Sequence, residues 1–123
     1  MLIFERLEKM NDLTFNEYAW RSRYTAIYPT KDQSDGWIYP TLGLTGEAGE
    51  VANTVKKIIR DEKGIPSLLD KEKIKGELGD ILWYIAQVAH ELDLSLEEIA
   101  QGNLDKLFSR MERGKLQGSG DDR

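Results

Sequence analysis

Apolar residues recur along this chain at spacings of three and four in successive stretches, and no stretch alternates residue by residue as a half-buried strand would. That pattern predicts helices throughout. The first secure helix opens at Thr14, because Thr14 and Glu17 have the spacing of a capping box and Leu13 with Tyr18 that of a hydrophobic staple. Phe15, Tyr18, Ala19, Ala26 and Ile27 give it an apolar surface, and Pro29 stops it after about Tyr28. Residues Thr30 to Tyr39 read as a polar loop with two aromatic residues, Trp37 and Tyr39, at its end. Pro40 suits the first turn of a second helix, which runs to about Arg60 with Leu44, Ala48, Val51, Val55 and Ile58 as its seam.

Gly64 and Pro66 mark the next connection. A third helix starts near Ser67 or Asp70 and continues to about Leu92, with the seam Ile74, Leu78, Ile81, Ile85, Val88 and Leu92. Ser95 and Glu98 make a second capping box, stapled by Leu94 and Ile99, so a fourth helix opens there and ends near Arg113. Residues 1–13 are an N-terminal arm: up to Asn11 there is no clear cap, and a short helix, a contact with a partner and partial disorder all fit. Residues 114–123 are polar and glycine-rich, the composition of a flexible tail. The expected architecture is therefore all-α, a four-helix bundle over residues 14–113.

At 123 residues the chain has the size of one domain that can bury a core without covalent staples. It has no cysteine, which removes disulfides and thiolate metal sites and fits a reducing cytoplasm. Charge interrupts the start too early for a signal peptide, and no apolar run approaches the roughly 20 residues of a membrane span. We therefore expect a soluble cytoplasmic protein with no membrane partner. The net charge of −5 argues against a partner that is a nucleic acid polymer, but a small anion can still be held by local cations or by metal ions.

The chemistry concentrates in one repeat. Gly46-Glu47-Ala48-Gly49-Glu50-Val51 returns almost letter for letter as Gly76-Glu77-Leu78-Gly79-Asp80-Ile81. Glycine inside a helix costs about 0.5–1 kcal/mol relative to alanine, so helix stability did not select these residues. Within each motif the three-residue spacing stacks both acids on one helix face, at the edge of the apolar seam. The short link between the second and third helices favours an antiparallel pair. The chain runs roughly 15 Å from Glu50 to the turn and returns roughly 10 Å to Glu77, which lands the motifs within about one turn of each other.

Four carboxylates gathered at a half-buried edge need a cation, and oxygen ligands without cysteine favour Mg²⁺, with Mn²⁺ also suitable. The bland alternative makes each acid a solvated partner of Lys56, Lys57 or Lys75; duplication of both acids and glycines weighs against it. The single histidine, His90, falls on the far side of the third helix and reads as a surface residue. On the fourth helix Asn103, Lys106 and Arg110 form a polar and cationic stripe suited either to phosphate oxygens or to salt bridges. Trp37 and Tyr39 could stack on a flat ligand, though covering the end of the core is the plainer reading.

These motifs resemble the MazG-like all-α nucleoside triphosphate pyrophosphohydrolases, which carry Glu-x-x-Glu on one helix and Glu-x-x-Asp on the next. Here the pieces are Glu47-x-x-Glu50 and Glu77-x-x-Asp80, and the similarity extends from about Phe15 to Arg113, with Asn103-Leu-Asp-Lys106 on the last helix. The resemblance implies hydrolysis of (deoxy)nucleoside triphosphates between the α and β phosphates, with Glu47, Glu50, Glu77 and Asp80 as catalytic Mg²⁺ ligands. It also implies a homodimer or homotetramer with nucleotide between subunits, which the abundance of apolar surface fits. Lys57 and Tyr84 extend the acidic edge toward a nucleotide, while Trp83 points elsewhere on the wheel and reads as packing. Many members carry a second acid before the first motif, and this chain has Gly46 there, a variant that looks like the deoxycytidine triphosphatase branch. Two rival expectations stand: an enzyme like phosphoribosyl-ATP pyrophosphohydrolase, and a non-catalytic helical oligomerisation module.

Overall fold

The computed structural model describes residues 12–123. Four helices account for its regular structure: α1 Phe15–Arg23, α2 Ile38–Glu62, α3 Leu68–Glu91 and α4 Leu96–Glu112, with no strand among the described residues. The fold is all-α. The N-terminal arm up to Asn11 lies outside the described residues.

Local sequence chemistry sets the helix ends. Ser67 and Asp70 close a full capping box, in which Asp70 N–H donates to Ser67 Oγ at 3.1 Å and Ser67 N–H to Asp70 Oδ2 at 2.8 Å. Ser95 accepts from Glu98 N–H at 3.2 Å to open α4, and Thr14 accepts from Glu17 N–H at 3.0 Å to open α1. Neither of these boxes is reciprocated among the described hydrogen bonds. The N-termini of α1 and α4 are instead tied to each other: Phe15 N–H donates to Glu97 Oε1 at 2.7 Å, and Glu97 N–H donates to Asn16 Oδ1 at 3.1 Å. A carboxylate between two helix N-termini suits both dipoles.

Two boundaries differ from the sequence pattern. Helix α1 stops at Arg23 rather than near Tyr28, because the Thr25 hydroxyl donates to Ser22 O at 2.6 Å and the backbone tightens into bonds of the i to i−3 kind. This early exit lets Tyr28 turn inward to a buried position. Trp37 ends the loop as the residue before α2, whereas Tyr39 stands in the first turn of that helix, its ring stacked on Tyr28 with 5.7 Å between centroids.

The loop between α1 and α2 is anchored by ionic groups as well as by the burial of Ala26 and Tyr28. Arg23 donates to Gln87 Oε1 and Glu91 Oε2, each at 3.1 Å, and also to Tyr28 and Asp32. Glu91, whose side chain is 3% exposed, receives the Tyr28 hydroxyl and the Asp32 N–H, the latter at 3.0 Å. The loop passes so closely over this carboxylate that a Cβ on Gly36 would lie 2.5 Å from Glu91 Oε1, which leaves glycine as the residue that fits. His90, on the exposed side of α3, sits 3.7 Å from Asp32.

Helices α2 and α3 form an antiparallel hairpin, the most extensive pairing in the fold, and α1 packs on α3 and α4. Lys63 and Gly64, both with positive φ, end α2, and Gly64 N–H donates back to Ile58 O at 3.1 Å. The packed faces match the expected seams only in part: Ile58 is buried and Leu44, Val51, Ile74, Ile81, Ile85 and Val88 are half-buried. On α2 the buried residues are Pro40, Thr54 and Ile58, and on α3 they are Ala86, Gln87 and Ala89. Val55 and Leu78 from the expected seams are 41% and 53% exposed. Helices of this length carry more apolar surface than one hairpin interface covers, so Leu42, Ile59, Leu104, Leu107, Phe108 and Met111 also stand exposed in the single chain.

Burial raises the Glu91 carboxyl, but the bonds from Tyr28, Arg23 and the Asp32 N–H outweigh it and hold the group below its ordinary 4.5. Burial and the bond to Glu91 push Tyr28 up to about 12. A depressed acid stabilises the fold above its unfolded pKa and a raised one below it, so this cluster contributes fully between about pH 4.5 and 10.0. Its contribution declines as pH falls below the first value or rises through about 12. Denaturant unfolding of Arg23→Ala at pH 7 is expected to show a loss of about 3 kcal/mol, because Glu91 is left as an unpaired buried charge. Glu91→Gln is expected to flatten the acid side of the stability profile.

Candidate active site

The hairpin register brings the two acidic motifs together. Gly43 on α2 lies against the Tyr84 ring on α3, where a Cβ would meet ring atoms at 2.2 Å. Further along the pair, Thr54 Oγ1 donates to Glu77 Oε1 at 3.0 Å. Glu47 and Asp80 lie between these two contacts and line a cleft of about 250 Å³ with Trp83 and Tyr84.

Glu47 and Glu77 are half-buried, and Glu50 and Asp80 are exposed. Partial burial, then the carboxylates of Asp80, Glu50 and Glu77, hold the Glu47 carboxyl above its ordinary value. The other three acids thus act on Glu47. The four remain spread along an edge: among the described residues no three acids converge into a closed cation cage. The donor chemistry nevertheless fits a hard divalent cation, since every donor is a carboxylate oxygen and Glu77 Oε2 is buried with no partner.

Tyr84 adjoins the acids closely enough that its hydroxyl is raised by burial, then by Tyr39, Glu47 and Asp80. Trp83, which the helical wheel assigns to packing, also lines the cleft. Its indole N–H donates to Thr25 Oγ1 at 2.8 Å, and its ring meets Tyr84 edge-on at 5.1 Å. The spacing of three from Asp80 is the signal that could have placed it there.

The other candidates lie outside that cleft. Lys57 lines a neighbouring hollow nearer the α2–α3 turn, with Thr54, Ile58, Asp61, Glu62, Asp70 and Lys73. Trp37 caps α2, and Asn103 is exposed on α4. Lys106 and Arg110 hold a carboxylate of the chain itself: Asp121 Oδ1 lies 3.3 Å from each, and Arg110 also donates to Asp121 O at 2.6 Å. The C-terminal segment therefore folds back along α4 in this structure.

The motif glycines differ from Gly43. A Cβ at Gly46, Gly49, Gly76 or Gly79 would meet nothing within 4 Å, so these positions leave open ground beside the acids. Gly43→Ala is expected to cost about 1–3 kcal/mol in urea unfolding by driving a methyl into the Tyr84 ring. Gly79→Ala is expected to stabilise the isolated chain by about 0.5–1 kcal/mol. Because Glu47 ionises against its neighbours, its contribution to stability is present below its ordinary 4.5 and is lost as pH rises. In a chelator at pH 7, Glu47→Gln should therefore melt higher than the parent by roughly 1–4 °C, with the gap narrowing in salt.

Comparison with known proteins accords with this geometry. No solved structure matches the chain. It is 51% identical over 102 residues to the Gene 37 protein of Mycobacterium phage L5, an alignment that spans 80% of this chain and 90% of that protein. Residues 40–114, which hold both acidic motifs and all of α4, match the MazG nucleotide pyrophosphohydrolase domain, and the chain belongs to that family.

Proposed function

We propose that this protein hydrolyses (deoxy)nucleoside triphosphates to the monophosphate and pyrophosphate in a Mg²⁺-dependent reaction that clears or balances cytoplasmic nucleotide pools. The observation that carries this reading is the single edge along which Glu47, Glu50, Glu77 and Asp80 are strung, with Glu47 and Asp80 beside Tyr84 in one cleft. Those four carboxylates would hold Mg²⁺, or Mn²⁺ in its place. When bound, the cation would supply neutralisation of phosphate charge and acidification of water. A carboxylate of the set would orient a water in line with the α phosphorus and take its proton as pyrophosphate leaves.

Tyr84 and Trp83 form an aromatic wall on which the sugar or base can rest, and Trp37 is a second stacking surface near the start of α2. Lys57, one helical turn beyond Thr54 on the acidic edge, would steady phosphate oxygens. Asn103, Lys106 and Arg110 are assigned the same work at the far end of the phosphate chain. The Asp121 carboxylate on Lys106 and Arg110 supports the reading of this pair as an anion-holding group, in which phosphate would displace it. The uncovered apolar rows on α2, α3 and α4 support assembly as a homodimer or homotetramer. Such an assembly can bring the α4 stripe of one subunit to the acids of another. Among the described residues no helix is long and apolar enough to cross a membrane, and the net charge of −5 does not suit a nucleic acid polymer.

The test is a panel of ribo- and deoxynucleoside triphosphates, together with phosphoribosyl-ATP, scored for pyrophosphate and monophosphate with and without Mg²⁺. Release of pyrophosphate from one or more triphosphates is expected, and chelation should abolish it. Glu50→Gln and Asp80→Asn should each lower kcat on the order of 100-fold, equivalent to about 2.7 kcal/mol. Turnover of phosphoribosyl-ATP alone would shift the substrate assignment. Intact substrates throughout, or full activity in both variants, would defeat the hydrolase reading.

A further inference from the structure

Three threonines on α2 show what their helix asks of a hydroxyl, and one of them departs from the rest. Thr41 Oγ1 donates back to Trp37 O at 2.7 Å, and Thr45 Oγ1 donates back to Thr41 O at 3.2 Å. That is the ordinary local bond of a helical threonine to the carbonyl one turn earlier. Thr54 instead donates across the hairpin to Glu77 Oε1 at 3.0 Å. A hydroxyl has one proton, so the two bonds exclude each other. Thr54 is only 5% exposed, in a place where a β-branched apolar residue would pack equally well. The hydroxyl is therefore unexplained by helix formation or by burial.

Glu77 supplies the explanation. Its Oε1 is occupied by Thr54, while its Oε2 is buried and has no partner. Buried polar atoms without a partner are rare in native folds because each costs about 1–3 kcal/mol. No ion pair to Glu77 is formed among the described residues. The arrangement leaves one oxygen fixed and one bare, at an edge shared with Glu47, Glu50 and Asp80.

We propose that Thr54 is a positioning residue for the cation site, whose hydroxyl locks Glu77 through Oε1 and leaves the unpartnered Oε2 for a divalent metal. This rests on the ligand assignment under the proposed function and deepens it. Thr54 touches neither metal nor substrate; it acts by removing the rotamer freedom of one ligand before the cation arrives.

Metal affinity in the absence of nucleotide tests this directly. Calorimetric titration of the full chain with Mg²⁺ and with Mn²⁺ would compare the parent with Thr54→Val, Thr54→Ser, Thr54→Ala and Glu77→Gln. Thr54→Val and Thr54→Ala are each expected to weaken binding about 10-fold, the usual scale for an outer-shell partner of a metal ligand, and Thr54→Ser to stay within about 2-fold of the parent. Melting curves in chelator verify that each variant is folded, and the alanine variant serves if the valine variant is not. If Glu77→Gln abolishes binding but the valine and alanine variants bind as the parent does, positioning by Thr54 is wrong while the ligand assignment stands. A serine variant as weak as valine would also overturn the proposal, because the methyl and not the hydroxyl would then be the agent. If Glu77→Gln binds both cations as tightly as the parent, the ligand assignment fails and the role of Thr54 falls with it.

Discussion

The close approach of α2 and α3 is the constraint on which the rest of the molecule depends. It is set at one end by the missing side chain of Gly43, which admits the Tyr84 ring, and at the other by the hydroxyl of Thr54 on Glu77. Between those points the register leaves no freedom, so Glu47 is carried to Asp80. The contact gathers negative charge without matching it, as the raised Glu47 carboxyl records. A hairpin built only for stability would separate these acids or interleave them with lysines. Here packing energy from elsewhere in the pair sustains an electrostatic cost at one edge, which is the usual mark of a site that answers to a ligand.

A second fixed point supports the first from a distance. Arg23, Gln87 and Glu91 knot α1 and the following loop to the C-terminal half of α3. Tyr28 belongs to that knot through its hydroxyl and to the aromatic group through its ring, stacked on Tyr39 and edge-on to Trp83 at 6.2 Å. Trp83 in turn meets Tyr84 beside the acids. The wall of the cleft is thus continuous, ring by ring, with the buried ion cluster. Few of the side chains involved are aliphatic. Specific polar geometry, rather than a large apolar core, holds this end of the bundle in place.

The sequence made some of this legible and hid the rest for identifiable reasons. Helix starts at Thr14, Ser67 and Ser95 were readable because capping is local chemistry. The antiparallel meeting of the two acidic motifs followed from loop length and helical rise. The end of α1 was not readable, because Pro29 is a visible stop while the Thr25 hydroxyl competing for Ser22 O is one contact among many that a sequence permits. The packed faces were only partly readable for a related reason. Periodicity locates every apolar row on a helix but does not say which row its nearest neighbour takes, and on α2 the hairpin takes the row of Pro40, Thr54 and Ile58. That Trp83 lines the cleft and that Thr54 bonds Glu77 could not be read from periodicity for the same reason.

The choice of packed face also bears on what the uncovered rows are for. With the expected seams fully buried, Val55 and Leu78 would face inward and the acids would stand at the margin of the contact. Because the hairpin buries Thr54 and half-buries Glu47 and Glu77, two things follow from one choice of face. The acids gain a partly dehydrated edge where electrostatic interactions are stronger, and the apolar rows are released to the surface. The acidic edge and the uncovered apolar rows are then not independent features of this helical bundle, and the proposed cation binding and assembly would draw on the same choice of face. Gly43 at the Tyr84 ring is the residue that permits that face.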